Sequence, residues 1–298
     1  MASADTSEDI TVEINQDQES PDLYAVVGNP VNHSLSPEIH RQFAMQTEQN
    51  IRYEAFQLPV HHFNEQIKLL IDKKIKGVNV TVPFKQKAWD ISDVLSPRAE
   101  QAGAVNTLIF RDDGSIAGDN TDGIGLTTDL TQNHNVLVKH RKLLILGAGG
   151  AVRGILAPLF IHQPSSITIA NRTTENAEQL ALDYEEFGDI TGCGFDDLEN
   201  QQFDLIINGT AAGLQNETPD IPDTVLGINT TCYDLMYNIQ EPTPFLKWAS
   251  ERGAYREMDG LGMLVEQAAE SFYIWRGVRP TTQLVIEMLR KRRLQNPR

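Results

Sequence analysis

Apolar positions along this chain recur at two spacings, and the alternation between them marks out strands and helices in turn. Leu23-Tyr24-Ala25-Val26-Val27-Gly28 reads as a strand closing in a glycine turn. A helix is expected from Ser36-Pro37 to about Gln49, a strand over 52–58, and a helix over 61–73 with Phe63, Ile67, Leu70 and Ile71 on one side. In the stretch Gly77 to Lys85, GVNVTVPFK, Val78, Val80 and Val82 alternate with Asn79, Thr81 and Pro83, which is strand periodicity with one β-branched and one polar face. Pro83 cannot donate to a ladder, so the strand stops there, and Phe84 to Trp89 has helical character. Lys85 thus falls at a strand-to-helix junction close to Asn79 and Thr81, and strand ends of open α/β sheets are where ligands bind. A solvated strand face with a surface lysine fits this stretch equally well.

The same reading carries on downstream. Ala102 to Phe110 is expected as a strand, followed by a turn at Asp112-Asp113-Gly114. Gly118-Asp119-Asn120-Thr121-Asp122-Gly123-Ile124-Gly125, taken alone, reads as a loop of self-satisfying side chains, with a helix N-cap or a polyol site as alternatives. Strands are expected at 143–146, 166–170, 203–208 and 228–235, and helices at 175–187 and 243–252. A long apolar-faced helix opens around Met258 to Ala269, and a last one covers 282–294, its basic end Arg290 to Arg293 read as a solvated terminus suited to the helix dipole. Strands alternating with helices predict an α/β protein with mostly parallel sheets.

The 298 residues allow two domains. A formal net charge of -16 argues against nucleic acid or an anionic membrane as partner, and it means that an anionic ligand needs local cations or aimed donors. Two cysteines, Cys193 and Cys232, make neither a zinc pattern nor a disulfide framework, so no metal is implied and a reducing cytoplasm is the simplest location. No apolar run approaches the roughly 20 residues that span a bilayer. Residues 1 to about 20 are acidic and polar, neither signal nor transit peptide, and are expected to be a disordered tail.

Two stretches suggest anion binding. Ser34 and Ser36 stand where a helix begins; Ser36 before Pro37 fits an N-cap, and the two hydroxyls also fit donors for a carboxylate at the positive end of a helix. The run Leu143 to Leu146 feeds Gly147-Ala148-Gly149-Gly150-Ala151-Val152-Arg153-Gly154, a strand entering glycines that permit close approach of a pyrophosphate at a helix N-terminus. Val152 fills the third glycine position of the dinucleotide fingerprint, but the clean strand at 166–170 supplies the expected βαβ unit. That strand ends in Asn171-Arg172-Thr173 in place of the acidic residue that would bind a ribose hydroxyl pair, and a guanidinium with hydroxyls suits a 2′-phosphate. The cofactor inferred is NADP.

Nine motifs in collinear order then resemble the shikimate dehydrogenase family: GNPVNHSLSPEIH, GVNVTVPFK, GAVNTL, GDNTDGIG, GAGGAVRG, NRT, NGTAAG, YDLMYN with TPFL, and DGLGMLVEQAA, spanning about residues 22 to 290. The resemblance implies NADP-dependent interconversion of 3-dehydroshikimate and shikimate in aromatic amino-acid biosynthesis. It implies a substrate domain of 21–122 with 260–298 and a Rossmann-type NADP domain of 123–259, with a cleft that closes on its ligands. It implies Lys85 and Asp122 as the catalytic pair and Ser34 and Ser36 at the substrate carboxylate. Asn79 and Thr81 become substrate contacts, Asn106, Asp122 and Gln267 the ring-hydroxyl ligands, and Tyr233 a group facing the substrate. On the cofactor side it implies Gly147, Ala148, Gly149, Gly150 and Ala151 at the pyrophosphate, Asn171, Arg172 and Thr173 at the 2′-phosphate, Ala211 and Gly213 near the ribose, and Gly260 and Met263 near the nicotinamide. Monomer and homodimer both remain open. Alternatives are a quinate/shikimate dehydrogenase with relaxed cofactor use and a non-catalytic NADP-binding sensor on the same fold.

Overall fold

The computed structural model describes residues 20–215 and 217–295, so the expected acidic tail lies outside the described residues except for Ser20. In the first sheet, β1 (Asp22–Gly28) lies between β2 (Ile51–Gln57) and β3 (Ile75–Val80), all parallel, with α1 (Ser36–Thr47) and α2 (Phe63–Asp72) as connections. Ala25, Val27, Val78 and Val80 of β1 and β3 pack with Phe63 and Ile67 of α2. Parallel strands covered on both faces read as near-continuous apolar runs, as β1 does. β3 ends sooner than the alternation suggests: Val82 is past the strand and 45% exposed.

After α3 (Lys85–Asp90) come β4 (Val94–Leu95), α4 (Pro97–Ala102), β5 (Thr107–Phe110) and β6 (Ile116–Asp119). The order is β2-β1-β3-β5-β6-β4, with β5 antiparallel to β3 and β6. Ala102 therefore closes a helix, where a strand over 102–110 was expected. Ser96 Oγ accepts from Ala99 N, Pro97 opens the first turn, and Gly103 at φ 57° ends it.

The stretch read as a loop around Gly118 to Gly125 is the end of β6 followed by α5 (Asp122–Thr128), which runs into a π-helical turn at Asp129–Asn133. The second sheet follows: β7 (Lys142–Leu146), α6 (Gly150–Ile161), β8 (Ser166–Ala170), α7 (Thr174–Asp183), β9 (Ile190–Cys193), β10 (Phe203–Asn208), β11 (Leu226–Asp234), α8 (Pro244–Glu251) and β12 (Arg256–Asp259). All its strands are parallel in the order β12-β11-β10-β7-β8-β9. Leu143 and Ile145 face one layer with Ile155 and Leu159 of α6, while Leu144 and Leu146 face the other with Phe245 and Trp248 of α8. Strand order reverses between β7 and β10, so a crevice opens at their C-terminal ends.

The chain then returns to the first sheet through α9 (Leu261–Arg276) and α10 (Gln283–Gln295). Leu261, Val265 and Phe272 of α9 pack with Leu35, Ile39 and Phe43 at α1 and with Val285, Ile286 and Leu289 of α10. The basic end of α10 is not merely solvated. Arg292 Nη1 donates to Glu38 Oε2 at 2.5 Å, and Arg290 Nη2 lies 3.3 Å from His134 Nε2.

Candidate active site

Lys85 is the first residue of α3 because β3 has already ended: Thr81 N donates to Val27 O at 2.9 Å and Phe84 N to Thr81 O at 3.1 Å, which turns the chain through Pro83. Asp122 is the first residue of α5 and its N–H donates to Asn120 Oδ1 at 3.1 Å. These two turns face each other, and Lys85 Nζ donates to Asp122 Oδ2 in an ion pair. The side chains are 14% and 7% exposed, so the pair is nearly withdrawn from solvent while its ammonium keeps an outlet. In such surroundings an ion pair is screened weakly and holds its geometry.

Asn106 completes the pair from the loop before β5. Its Nδ2 donates to Asp122 Oδ1 at 2.8 Å and to Thr121 Oγ1 at 2.9 Å, and its Oδ1 accepts from Thr121 N at 2.9 Å. Gln267 Oε1 on α9 lies 3.4 Å from Asn106 Nδ2 and from Thr121 Oγ1. Asn79 sits one layer behind, donating through Nδ2 to Asn106 O, Thr107 Oγ1 and Ser271 Oγ at 3.2, 3.1 and 2.9 Å. Thr81 is half-buried at the end of β3, where a side chain on Gly28 would meet its methyl at 2.3 Å.

Ser36 is not the N-cap of α1. That position falls to Leu35, and neither Ser36 nor Pro37 is left outside the helix. Ser34 Oγ accepts from Ser36 N at 3.2 Å, and the buried Ser36 hydroxyl makes no capping bond. Both hydroxyls thus border the helix start without being consumed by the helix.

Tyr233, expected to face a substrate, is enclosed. It lies inside β11 with 0% exposure, and its hydroxyl donates to Asp129 Oδ2 at 2.7 Å. The tyrosine four residues on is the one that reaches the serine loop: Tyr237 follows the strand's end, is half-buried, and has the Leu35 backbone as hydrogen-bond partner, while burial pushes its phenol above the ordinary range. The sequence holds the signal that separates them, since Tyr233 belongs to an apolar strand and Tyr237 comes after the Asp234 that ends it. Asp234 itself, pushed up to about 6 by burial, accepts from Thr243 Oγ1, Met236 N and Asn208 Nδ2 and so fixes the loop carrying Tyr237.

Across the crevice, Gly147 has φ 101°, open to glycine, and a side chain there would meet Gly209 O at 3.0 Å. A side chain on Gly149 would meet nothing within 4 Å, so the turn leaves room before the first amides of α6. That arrangement fits a pyrophosphate, with Ala148 in the turn and Gly150 and Ala151 opening α6. At the end of β8, Asn171 Nδ2 donates to Thr173 O at 2.9 Å, while Arg172 and Thr173 are exposed and Arg172 has no carboxylate partner among the described residues. A free guanidinium fits a 2′-phosphate. Ala211 and Gly213 lie on the turn after β10, Gly260 precedes α9 against the Leu235 carbonyl, and Met263 is buried at the edge of the second core. The two halves meet closely: a Cβ on Gly150 would stand 3.8 Å from Lys85 Cβ.

Over 269 residues, 90% of this chain and 98% of the other, the sequence is 53% identical to shikimate dehydrogenase (NADP(+)) of Thioalkalivibrio sulfidiphilus. The chain belongs to the shikimate dehydrogenase family. Residues 26–108 match the family's substrate binding domain, residues 129–216 match shikimate / quinate 5-dehydrogenase, and residues 260–290 match the shikimate 5'-dehydrogenase C-terminal domain. Among solved structures, an Ael1 enzyme from Pseudomonas putida is similar with a TM-score of 0.82 and 43% identity, over 90% of this chain and 98% of that one. Shikimate 5-dehydrogenase from Thermus thermophilus, in complex with NADP(H) and shikimate, gives a TM-score of 0.79 and 30% identity over 91% and 99% of the two chains. Among the described residues no helix is long and apolar enough to cross a membrane, and no group of three or more His, Cys, Asp or Glu could hold a metal ion.

Proposed function

We propose that the protein catalyses the reversible NADPH-dependent reduction of 3-dehydroshikimate to shikimate, with Lys85 and Asp122 as the catalytic pair. The observation that carries this is the Lys85, Asp122 and Asn106 constellation standing beside the glycine turn at Gly150. Bound NADPH supplies a hydride for the ketone carbon. The charge left on the carbonyl oxygen is met by Lys85, whose ammonium donates a proton and whose neutral amine takes one back in the oxidation. Asp122 orients that ammonium through Oδ2, and Asn106 holds the carboxylate through Oδ1.

Ser34 and Ser36 bind the substrate carboxylate, joined by Tyr237 in the part first given to Tyr233. Asn79, Thr81, Asn106 and Gln267 order the ring-facing wall. Gly147 to Ala151 receive the pyrophosphate, Asn171, Arg172 and Thr173 the 2′-phosphate, Ala211 and Gly213 the ribose, and Gly260 with Met263 the nicotinamide. In this division residues 21–122 and 260–298 form the substrate unit and 123–259 the cofactor unit. The test is an absorbance assay that crosses shikimate and quinate with NADP+ and NAD+ at equal concentrations. Turnover confined chiefly to shikimate with NADP+ is expected; comparable rates with quinate or NAD+ would replace the proposal with a broader dehydrogenase, and silence in every combination would leave a non-catalytic binder.

A further inference from the structure

A hydroxyl that the active-site assignment does not use lies at the head of the polar network behind it. Tyr53 is on β2, half-buried, with its ring stacked over His40 at 4.0 Å and 5°. Its OH donates to Asn79 Oδ1 at 2.7 Å, and the Ser36 hydroxyl neighbours the same oxygen. The buried His40 ring faces Asn79 as well.

The Tyr53 proton closes the outer, acceptor end of a buried network whose inner members also rest on the Asn106 carbonyl and the Thr121 N–H. A carboxamide has one acceptor end and one donor end, so a donor at Asn79 Oδ1 turns Nδ2 inward, toward Asn106 O, Thr107 Oγ1 and Ser271 Oγ. Thr107 Oγ1 receives a hydrogen from Asn79 and stands 2.9 Å from Asn106 Oδ1 and 2.8 Å from Ser271 Oγ, the two acceptors within reach of its own hydrogen. Asn106, whose Oδ1 also accepts from Thr121 N, has its donor end toward Asp122 Oδ1, and Asp122 holds Lys85 through the other oxygen. All of Asn79, Thr107, Asn106 and Asp122 are at most 6% exposed, so water cannot supply a missing donor.

We propose that Tyr53 is a positioning residue for the reaction: its hydroxyl holds the acceptor end of Asn79, and with it the place of a buried Asn79, Thr107 and Asn106 network that ends on the Asp122 carboxylate. This rests on the assignment of Lys85 and Asp122 as the catalytic pair. The relay also links the two ends of the substrate site, because the Ser36 hydroxyl touches the same phenol that orders the catalytic carboxylate.

The test uses the full chain with shikimate and NADP+. Tyr53→Phe keeps the ring over His40 and deletes only the proton, and Thr107→Val cuts the relay one step later with little change in shape. Each is expected to lower kcat about tenfold with the KM for NADP+ unchanged, and the double variant is expected to be no slower than the worse single one, since both break one series of bonds. A kcat within about twofold of the parent for either folded variant, with loss confined to thermal stability, would overturn the proposal. So would losses that multiply in the double variant. Should Tyr53→Phe fail to fold, Thr107→Val decides alone by the same kcat criterion. A parent with no shikimate activity would remove the catalytic assignment and this inference together, whereas an active parent with fully active variants removes only the relay.

Discussion

Lys85 and Arg172 are two of 25 lysines and arginines in a strongly acidic protein, and each has a separable test. Lys85→Ala removes the proposed proton donor, so kcat is expected to fall by about 1,000-fold or more with a much smaller change in shikimate KM; a change in KM alone would make Lys85 a binding residue. Arg172→Ala removes the exposed cation at the end of β8, and the KM for NADP+ is expected to rise roughly 10–100-fold while any residual use of NAD+ stays constant. Equal losses with both cofactors would move Arg172 out of the 2′-phosphate site. His40 carries a different consequence, because complete burial lowers its pKa from 6.5 to about 3. The unfolded chain takes up a proton below pH 6.5 that the folded chain refuses until about pH 3, so His40 makes stability fall with acidity across that window by about 1.4 kcal/mol per pH unit. Urea unfolding from pH 7 to pH 4 should show a shallower decline for His40→Phe than for the parent; parallel declines would mean that the buried ring does not govern it.

Elements whose sequence carried strong periodicity were found where expected, including β1, β8, β10 and the glycine turn into α6. Those missed are short or lie at edges. β4, β9 and β12 have two to four residues, too few for alternation to register, and α4 was hidden because alanines suit either state until the Ser96-Pro97 start signal is noticed. The motifs singled out Lys85 and Asp122, and the fold brings these two side chains together in an ion pair. Tyr233 failed because facing direction depends on where β11 ends, and Tyr53 was invisible because a lone tyrosine in a strand carries no sign of the amide it will meet. Close approach was equally hidden: a Cβ on Gly262 would fall 1.9 Å from Asp129 Oδ1. Gly262→Ala is therefore expected to push α9 off the π-helical turn and cost about 2 kcal/mol, read as a lower denaturation midpoint. An unchanged midpoint would show that Asp129 can swing aside.

At the scale of the molecule, the two sheets share a narrow crevice whose walls come from opposite sides, Lys85 from one and Gly150 from the other. A ligand bound against one wall therefore lies within reach of the other. In the Lys85→Ala protein, whose turnover is expected to be slow, calorimetry is expected to find shikimate binding tighter by on the order of fivefold with NADP+ present, and NADP+ tighter by the same factor with shikimate present. Identical affinities with and without the second ligand would mean that the walls are already fixed. Tyr184 gives the halves another tie, its hydroxyl lying 2.9 Å from Gln101 O and 3.1 Å from Arg153 O.

The core that α1 shares with α9 and α10 also has a history in time. A ribosome releases Leu35, Ile39 and Phe43 long before it makes Val265, Phe272 and Val285, so the apolar side of α1 waits uncovered while the whole second sheet is synthesised. The strands from Lys142 to Asp259 are contiguous in sequence and can close on themselves during that interval. The nucleotide-binding half is thus ready first, and the catalytic half is finished last, by the final helices to emerge.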